Sequence, residues 1–160
     1  MIAVPGSGKT KTMMQRIAIL VNDHNVAPES ILGLTFTHNA AEEMRNRLKT
    51  LLGSAAHRVM LLTIHSFCHY LLRNEGYVFE MLYGKEQLIL LRNVIKKLRY
   101  KDLAPGMLLR EISLAKNNLI SSEEMKVMYE GDPTMVKVAH VYDAYDKEKK
   151  KRMLMDFDDL

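Results

Sequence analysis

This sequence is short of the segments that mark several protein classes. No apolar run reaches the eighteen or so residues that span a membrane, and the first residues lack the layout of a signal peptide. One cysteine, Cys68, leaves no internal disulfide framework and fits a reducing compartment. No repeat and no low-complexity linker interrupts the 160 residues. A cytoplasmic protein with no membrane partner is the expectation.

What is present suffices for a packed core, with 48% hydrophobic and 26% charged residues. The length fits one domain, or one domain with a small insert. The net charge of +4 is unevenly spread. Residues 85–152 carry 15 Lys and Arg against 10 Asp and Glu, whereas residues 1–84 carry 8 against 6. A basic second half suits a polyanionic partner, although a solvated helical surface would have the same composition.

The first half alternates strand and helix. A strand end at residues 2–4 runs into a glycine loop, and Met13, Ile17, Leu20 and Val21 then recur at helical spacing. "ILGLTFT" (31–37) reads as a buried strand, and "NAAEEMRNRLKTLLG" as a helix stopped by Gly53. "VMLLT" (59–63) is a third short strand, and "HSFCHYLLRNEG" a third helix. Such strand–helix units predict a parallel sheet with crossover helices. From residue 85 the pattern changes. Leu88, Leu91, Val94, Ile95 and Leu98 form one stripe, Leu108, Leu109, Ile112 and Ala115 another, and Ser121 with Glu124 makes a capping box. A last helix runs from about Pro133 into "KEKKKR". No strand candidate falls between residues 85 and 152, which predicts an all-helical insert.

"AVPGSGKT" (3–10) has the Walker A form with alanine in its first position. Gly6 and Gly8 let backbone N–H groups reach phosphate oxygens with no Cβ in the way. Lys9 suits the β- and γ-phosphates, and the Thr10 hydroxyl suits Mg²⁺. The helix that begins here turns its positive end to the anion, and Pro5, Ser7 and Lys11 complete the expected nucleotide-binding set. ATP with Mg²⁺ is the expected ligand.

Ligands of an open parallel sheet gather beyond the carboxyl ends of its strands. The second strand ends in "TFTHNAAEEM" and the third in "TIHSFCHY". Thr35, Thr37, His38 and Asn39 are small polar groups suited to phosphate contacts, and Phe36 and His65 could stack on bases. Each also has a structural reading: Thr37 and Asn39 as helix caps, Phe36 as core, His65 and Ser66 as a helix start.

"AVPGSGKT", "LTFTHNAAEEMRNRL" and "TIHSFCHYLLR", in this order and spacing, resemble motifs I, Ia and Ib of UvrD/Rep-type superfamily 1 DNA helicases. "DFDDL" (156–160) resembles the segment those enzymes carry just before the Walker B strand, and the helical stretch resembles their inserted 1B subdomain. The resemblance implies an α/β fold, a P-loop NTPase (RecA-like) parallel sheet with an all-helical inserted subdomain. It implies a partial 1A domain at residues 1–84, a 1B-like insert at 85–152 and a return to 1A at 153–160. It implies an ATP-dependent motor on single-stranded or partly duplex DNA, with Lys9 and Thr10 in the catalytic centre and Phe36, Thr37, His38, Asn39, Thr63 and His65 on the DNA. The second motif usually reads TFTNKAA. Here His38 and Asn39 stand in place of its Asn and Lys, which removes the lysine charge from that phosphate contact.

Other groupings point to less. His65, Cys68 and His69 share a helix face but lack the further ligand a zinc site needs. Asp156, Asp158 and Asp159 read as a helix start, "KEKKKR" as a solvated helix end, and the 12 methionines as core. Phosphoryl transfer also needs an acidic Mg²⁺ ligand and a water-orienting group, and no apolar strand ending in D-E-x-Q occurs. The chain is therefore expected to be an N-terminal helicase fragment lacking pieces on both sides and inactive alone. A non-motor P-loop NTPase or kinase, or a binding-only ATP-sensing module, are the alternatives the residues leave open.

Overall fold

A glycine in a left-handed turn, Gly8 at φ 76°, opens the structure that the computed structural model describes, which covers residues 8–160. The strand end expected at residues 2–4 and the loop residues Ala3, Pro5, Gly6 and Ser7 lie outside the described residues. The chain divides into two units, residues 1–74 and 75–160. Both are mixtures of helices and small parallel sheets.

The first unit is built on a strand–helix–strand crossover. Helix α1 (Lys9–Asn22) leads through a 3-10 turn at Pro28–Ser30 into β1 (Leu32–Thr35). Helix α2 (His38–Leu52) follows, then a 3-10 turn at Gly53–Arg58, β2 (Met60–Thr63) and α3 (Ile64–Asn74). β1 and β2 pair in parallel, Leu32 with Met60 through to Thr35 with Thr63. The helical spacing buries Met14 and Ile17 of α1 against Met44 and Leu48 of α2, with Ala56, Val59 and Leu61 beneath them. Gly33 lets Leu61 pack closely: a Cβ there would stand 2.5 Å from Leu61 Cδ2, and that buried side chain would have to shift. Strand β1 is shorter than the 31–37 expected, and it is not buried. Leu32 and Leu34 are partly open to solvent, whereas Gly33 between them is buried.

The second unit is helical apart from one short pairing. It contains β3 (Glu80–Met81), α4 (Gly84–Lys97), α5 (Pro105–Asn117), α6 (Ser122–Met128), α7 (Pro133–Lys151) and β4 (Leu154–Met155), and closes on a 3-10 turn at Phe157–Asp159. The caps are local. Ser121 and Glu124 form the full capping box at α6, and Asp132 accepts hydrogen bonds from the N–H groups of Thr134 and Met135 at α7. Each such cap contributes about 1 kcal/mol. Helix α7 runs through the core, where Val138, Val141 and Tyr145 are fully buried against Leu91 of α4 and Leu108 of α5. Side chains buried to this extent contribute roughly 2 kcal/mol each. The parallel pairing of β3 with β4, Glu80 with Leu154 and Met81 with Met155, has no counterpart in the sequence reading, since two-residue strands carry no periodicity. It joins the segment entering the helices to the segment leaving them. No described helix is long and apolar enough to cross a membrane.

Candidate functional site

The register of β1 on β2 determines what the first unit presents. Thr35 lies opposite Thr63, so the residues that follow, 36–39 and 64–66, leave the sheet at one carboxyl edge. Strand β1 stops at Thr35 because Thr37 turns to cap α2, its Oγ1 accepting the Ala40 N–H at 3.2 Å. That turn leaves Phe36 outside the core, 79% exposed. His38 and Asn39 open the helix and are exposed. The first turn of α2 holds no acidic residue, so the positive end of the helix is not offset there.

From β2, Ile64 and His65 reach the same edge and are exposed, whereas Thr63 is 3% exposed. The Thr63 hydroxyl donates to Ser66 Oγ at 2.8 Å and accepts the Ser66 N–H at 3.1 Å. It fixes the first turn of α3 from beneath the surface. Phe36, His38, Asn39 and His65 are thus brought to one exposed edge, Thr37 shapes it as a cap, and Thr63 supports it. Cys68 and His69 are half-buried on α3, and among the described residues no three His, Cys, Asp or Glu side chains gather as a metal site.

At the start of α1 the described residues fit a phosphate ligand. Among the described residues no side chain caps the helix, and its first turn has no acidic residue to offset its positive end. No described residue lies within 4 Å of the position a Cβ on Gly8 would take. Lys9 is exposed and Thr10 half-buried in the first turn, an ammonium and a hydroxyl oxygen suited to phosphate and to a hard cation such as Mg²⁺. Lys11 lies further along, lining an open groove of about 270 Å³ with Met14, Gln15, Arg47, Thr50 and Leu51. Pro5, Gly6 and Ser7 of the loop lie outside the described residues.

The second unit holds a charge cluster that the sequence reading did not find. Lys149 and Asp156 are each 2% exposed. Lys149 Nζ donates to Asp156 Oδ2 at 2.8 Å and to Asp159 Oδ2, and stands over the Tyr145 ring at 4.7 Å. Tyr145 donates its hydroxyl to Asp156 Oδ2 at 3.0 Å. Lys116, from the end of α5, bonds to Asp159 Oδ1 and lies 3.1 Å from Asp146 Oδ1. Three carboxylates thus share two ammonium groups. Asp156 Oδ1 has no hydrogen bond, with Lys116 Nζ 3.5 Å away. Burial pushes the Asp156 carboxyl above its usual range against the pull of both lysines. Burial also works against Asp159, but its bonds to Lys116 and Lys149 hold it down at about 2. Burial opposes the charge of Lys116 too, and the carboxylates outweigh it, raising its pKa.

Asp156 and Asp159 do open a short helix, but not as groups exposed to solvent. They form a reciprocal capping box around the 3-10 turn at Phe157–Asp159, with Asp156 inside the protein. Nor is "KEKKKR" wholly solvated, since Lys149 is its buried member. The signal was available: Lys149 continues the stripe of Val138, Val141, Tyr142 and Tyr145 at helical spacing.

Comparison with known proteins matches residues 1–160 to the UvrD/REP helicase N-terminal domain. Over 168 residues the chain is 37% identical to the ATP-dependent DNA helicase PcrA of Bacillus subtilis, covering 100% of this chain and 23% of that protein. It is 33% identical over 167 residues to the PcrA of Staphylococcus epidermidis and 32% over 168 residues to that of Staphylococcus aureus, with 99% of this chain and 23% of each relative covered. The chain thus spans about a quarter of the length of these relatives.

Proposed function

Because this chain belongs to the UvrD/REP helicase N-terminal domain family, we propose that it supplies the Mg-ATP-binding loop and part of the single-stranded DNA surface of a cytoplasmic ATP-dependent DNA helicase. The first unit then corresponds to the RecA-like P-loop domain 1A, and the helices of the second to the inserted 1B subdomain. Lys9 and the amides at the start of α1 hold the phosphates, with Gly6 and Gly8 giving them access, and Thr10 ligates Mg²⁺. Bound Mg²⁺ would neutralise charge developing on the phosphates.

One observation carries the DNA half of this reading: a phenylalanine left almost entirely in solvent at the carboxyl edge of a parallel sheet, between a helix start and a second exposed strand end. An aromatic ring there offers a stacking surface that accepts any base. Beside it, His38, Asn39 and His65 face the backbone of the strand, and Thr37 and Thr63 hold the two helix starts in position. The kinase and sensing alternatives have no use for this second edge.

Hydrolysis demands more than a cradle. It needs an acidic Mg²⁺ ligand and a group to orient water, and residues 1–160 contain no D-E-x-Q. The chain alone is therefore assigned weak nucleotide binding and negligible turnover. Two titrations of the 160-residue chain test the reading. A fluorescently labelled dT oligomer is expected to bind saturably and more weakly as salt rises, and a fluorescent ATP analogue with Mg²⁺ to bind and to be lost in Lys9→Ala. A chain that ignores the oligomer at low salt contradicts the DNA assignment; undiminished analogue binding by Lys9→Ala contradicts the nucleotide assignment.

A further inference from the structure

The carboxyl edge of β1 and β2 is built without a fixed positive charge. No lysine or arginine occurs in residues 31–44 or in residues 59–72. The basic side chains of those stretches are His38, His65 and His69. The first arginine of α2, Arg45, is engaged with the Leu61 carbonyl oxygen at 3.0 Å, and the one arginine of α3, Arg73, lies in its last turn.

The elements packed on α2 carry their cations on α1 and on the turn at Gly53–Arg58. Strands β1 and β2 contain no charged residue. Helix α1 brings Lys9, Lys11 and Arg16, and Lys11 lies beside Arg47, Thr50 and Leu51, roughly two turns or more along α2 from His38. The turn at Gly53–Arg58 brings His57 and Arg58 to the opposite end of the strands, where Arg58 pairs with Glu29. On α2 itself, Glu42 and Glu43 follow His38 by about one turn.

We propose that proton uptake by His38 and His65 strengthens the hold of this edge on a phosphodiester chain, so that the single-strand grip of this protein is pH-dependent. The proposal rests on the reading of the edge as a DNA surface given above. Imidazole is the side chain whose charge changes between about pH 5 and 8. A phosphate laid against the edge favours the protonated imidazole, and by linkage the proton then tightens the phosphate. A lysine in the same place would grip equally at every pH in this range.

The test is anisotropy of the whole 160-residue chain with a labelled dT oligomer, whose thymines and phosphodiesters do not titrate in this range, at fixed ionic strength. Affinity at about pH 6 should exceed that at about pH 8 roughly tenfold, and the salt dependence should steepen by about one unit of slope. The double variant His38→Gln/His65→Gln should bring the ratio of the two affinities close to one. His57→Gln, at the amino end of β2, should keep the wild-type ratio. Equal affinity at both pH values, or a double variant that keeps the full ratio, overturns the proposal and leaves the DNA edge standing. No binding at either pH overturns the reading of the edge itself.

Discussion

Phe36→Ala is expected to weaken binding of a dT oligomer by about tenfold or more, because a stacked base contributes roughly 1–3 kcal/mol through an aromatic side chain. The same substitution should leave folding stability within about 0.5 kcal/mol of the wild type, since the ring is 79% exposed and supports none of the buried core. That separation gives the prediction its value. A core phenylalanine removed in this way costs about 3–5 kcal/mol of stability, and a solvent-facing one with no ligand costs nothing in either measurement. Phe36→Trp should retain most of the affinity, because stacking needs an aromatic face rather than a particular ring. Anisotropy with the oligomer reads the first effect and urea unfolding the second. Unchanged affinity in Phe36→Ala would remove the stacking role.

The second large effect lies far from that edge in kind. Lys149→Met should destabilise the chain by about 3–5 kcal/mol at neutral pH, the cost of leaving a buried charge without its partner. Methionine fits the space of the lysine stem, so the loss is electrostatic rather than a cavity. Asp156 is 2% exposed and would keep the neutral Tyr145 hydroxyl at 3.0 Å and, of its two cations, only Lys116 at 3.5 Å. The pH dependence follows from the two carboxyls. Asp159, held below its ordinary 3.8, adds stability above that pH and loses it as pH falls through about 2. Asp156 is already raised by burial. Removing Lys149 raises both, so the folded variant takes up protons sooner than the wild type and the gap between them narrows as pH falls from 7. Six of the seven tyrosines lie after residue 75, so urea unfolding followed by tyrosine near-ultraviolet circular dichroism at two pH values reads this unit. A gap that widens on acidification would contradict the assignment of the cluster as charged.

The helices were largely legible because their apolar stripes and caps are local. Ser121 with Glu124, Pro133 after Asp132 and the stripe of α5 each mark an end or a face that a few residues determine. The edge chemistry was legible in type but not in exposure. "ILGLTFT" suggested a buried strand, yet whether Leu34 and Phe36 are covered depends on which helices lie over the sheet, and no local pattern encodes that. Thr63 shows the same limit, since only the folded turn reveals its hydroxyl engaged by Ser66. The charge cluster was the least legible. Lys116, Lys149 and Asp156 come from separated segments, and only the folding of α5, α7 and the final turn brings them together.

Where a DNA strand lies on this chain is the central claim, and an NMR footprint tests it most directly. Backbone amide shifts of the 160-residue chain should be recorded as a dT oligomer is added. The account predicts the largest changes at Phe36, Thr37, His38 and Asn39 and at Ile64, His65 and Ser66. Changes confined to the lysine-rich helices of residues 85–152, with this edge unmoved, would contradict it.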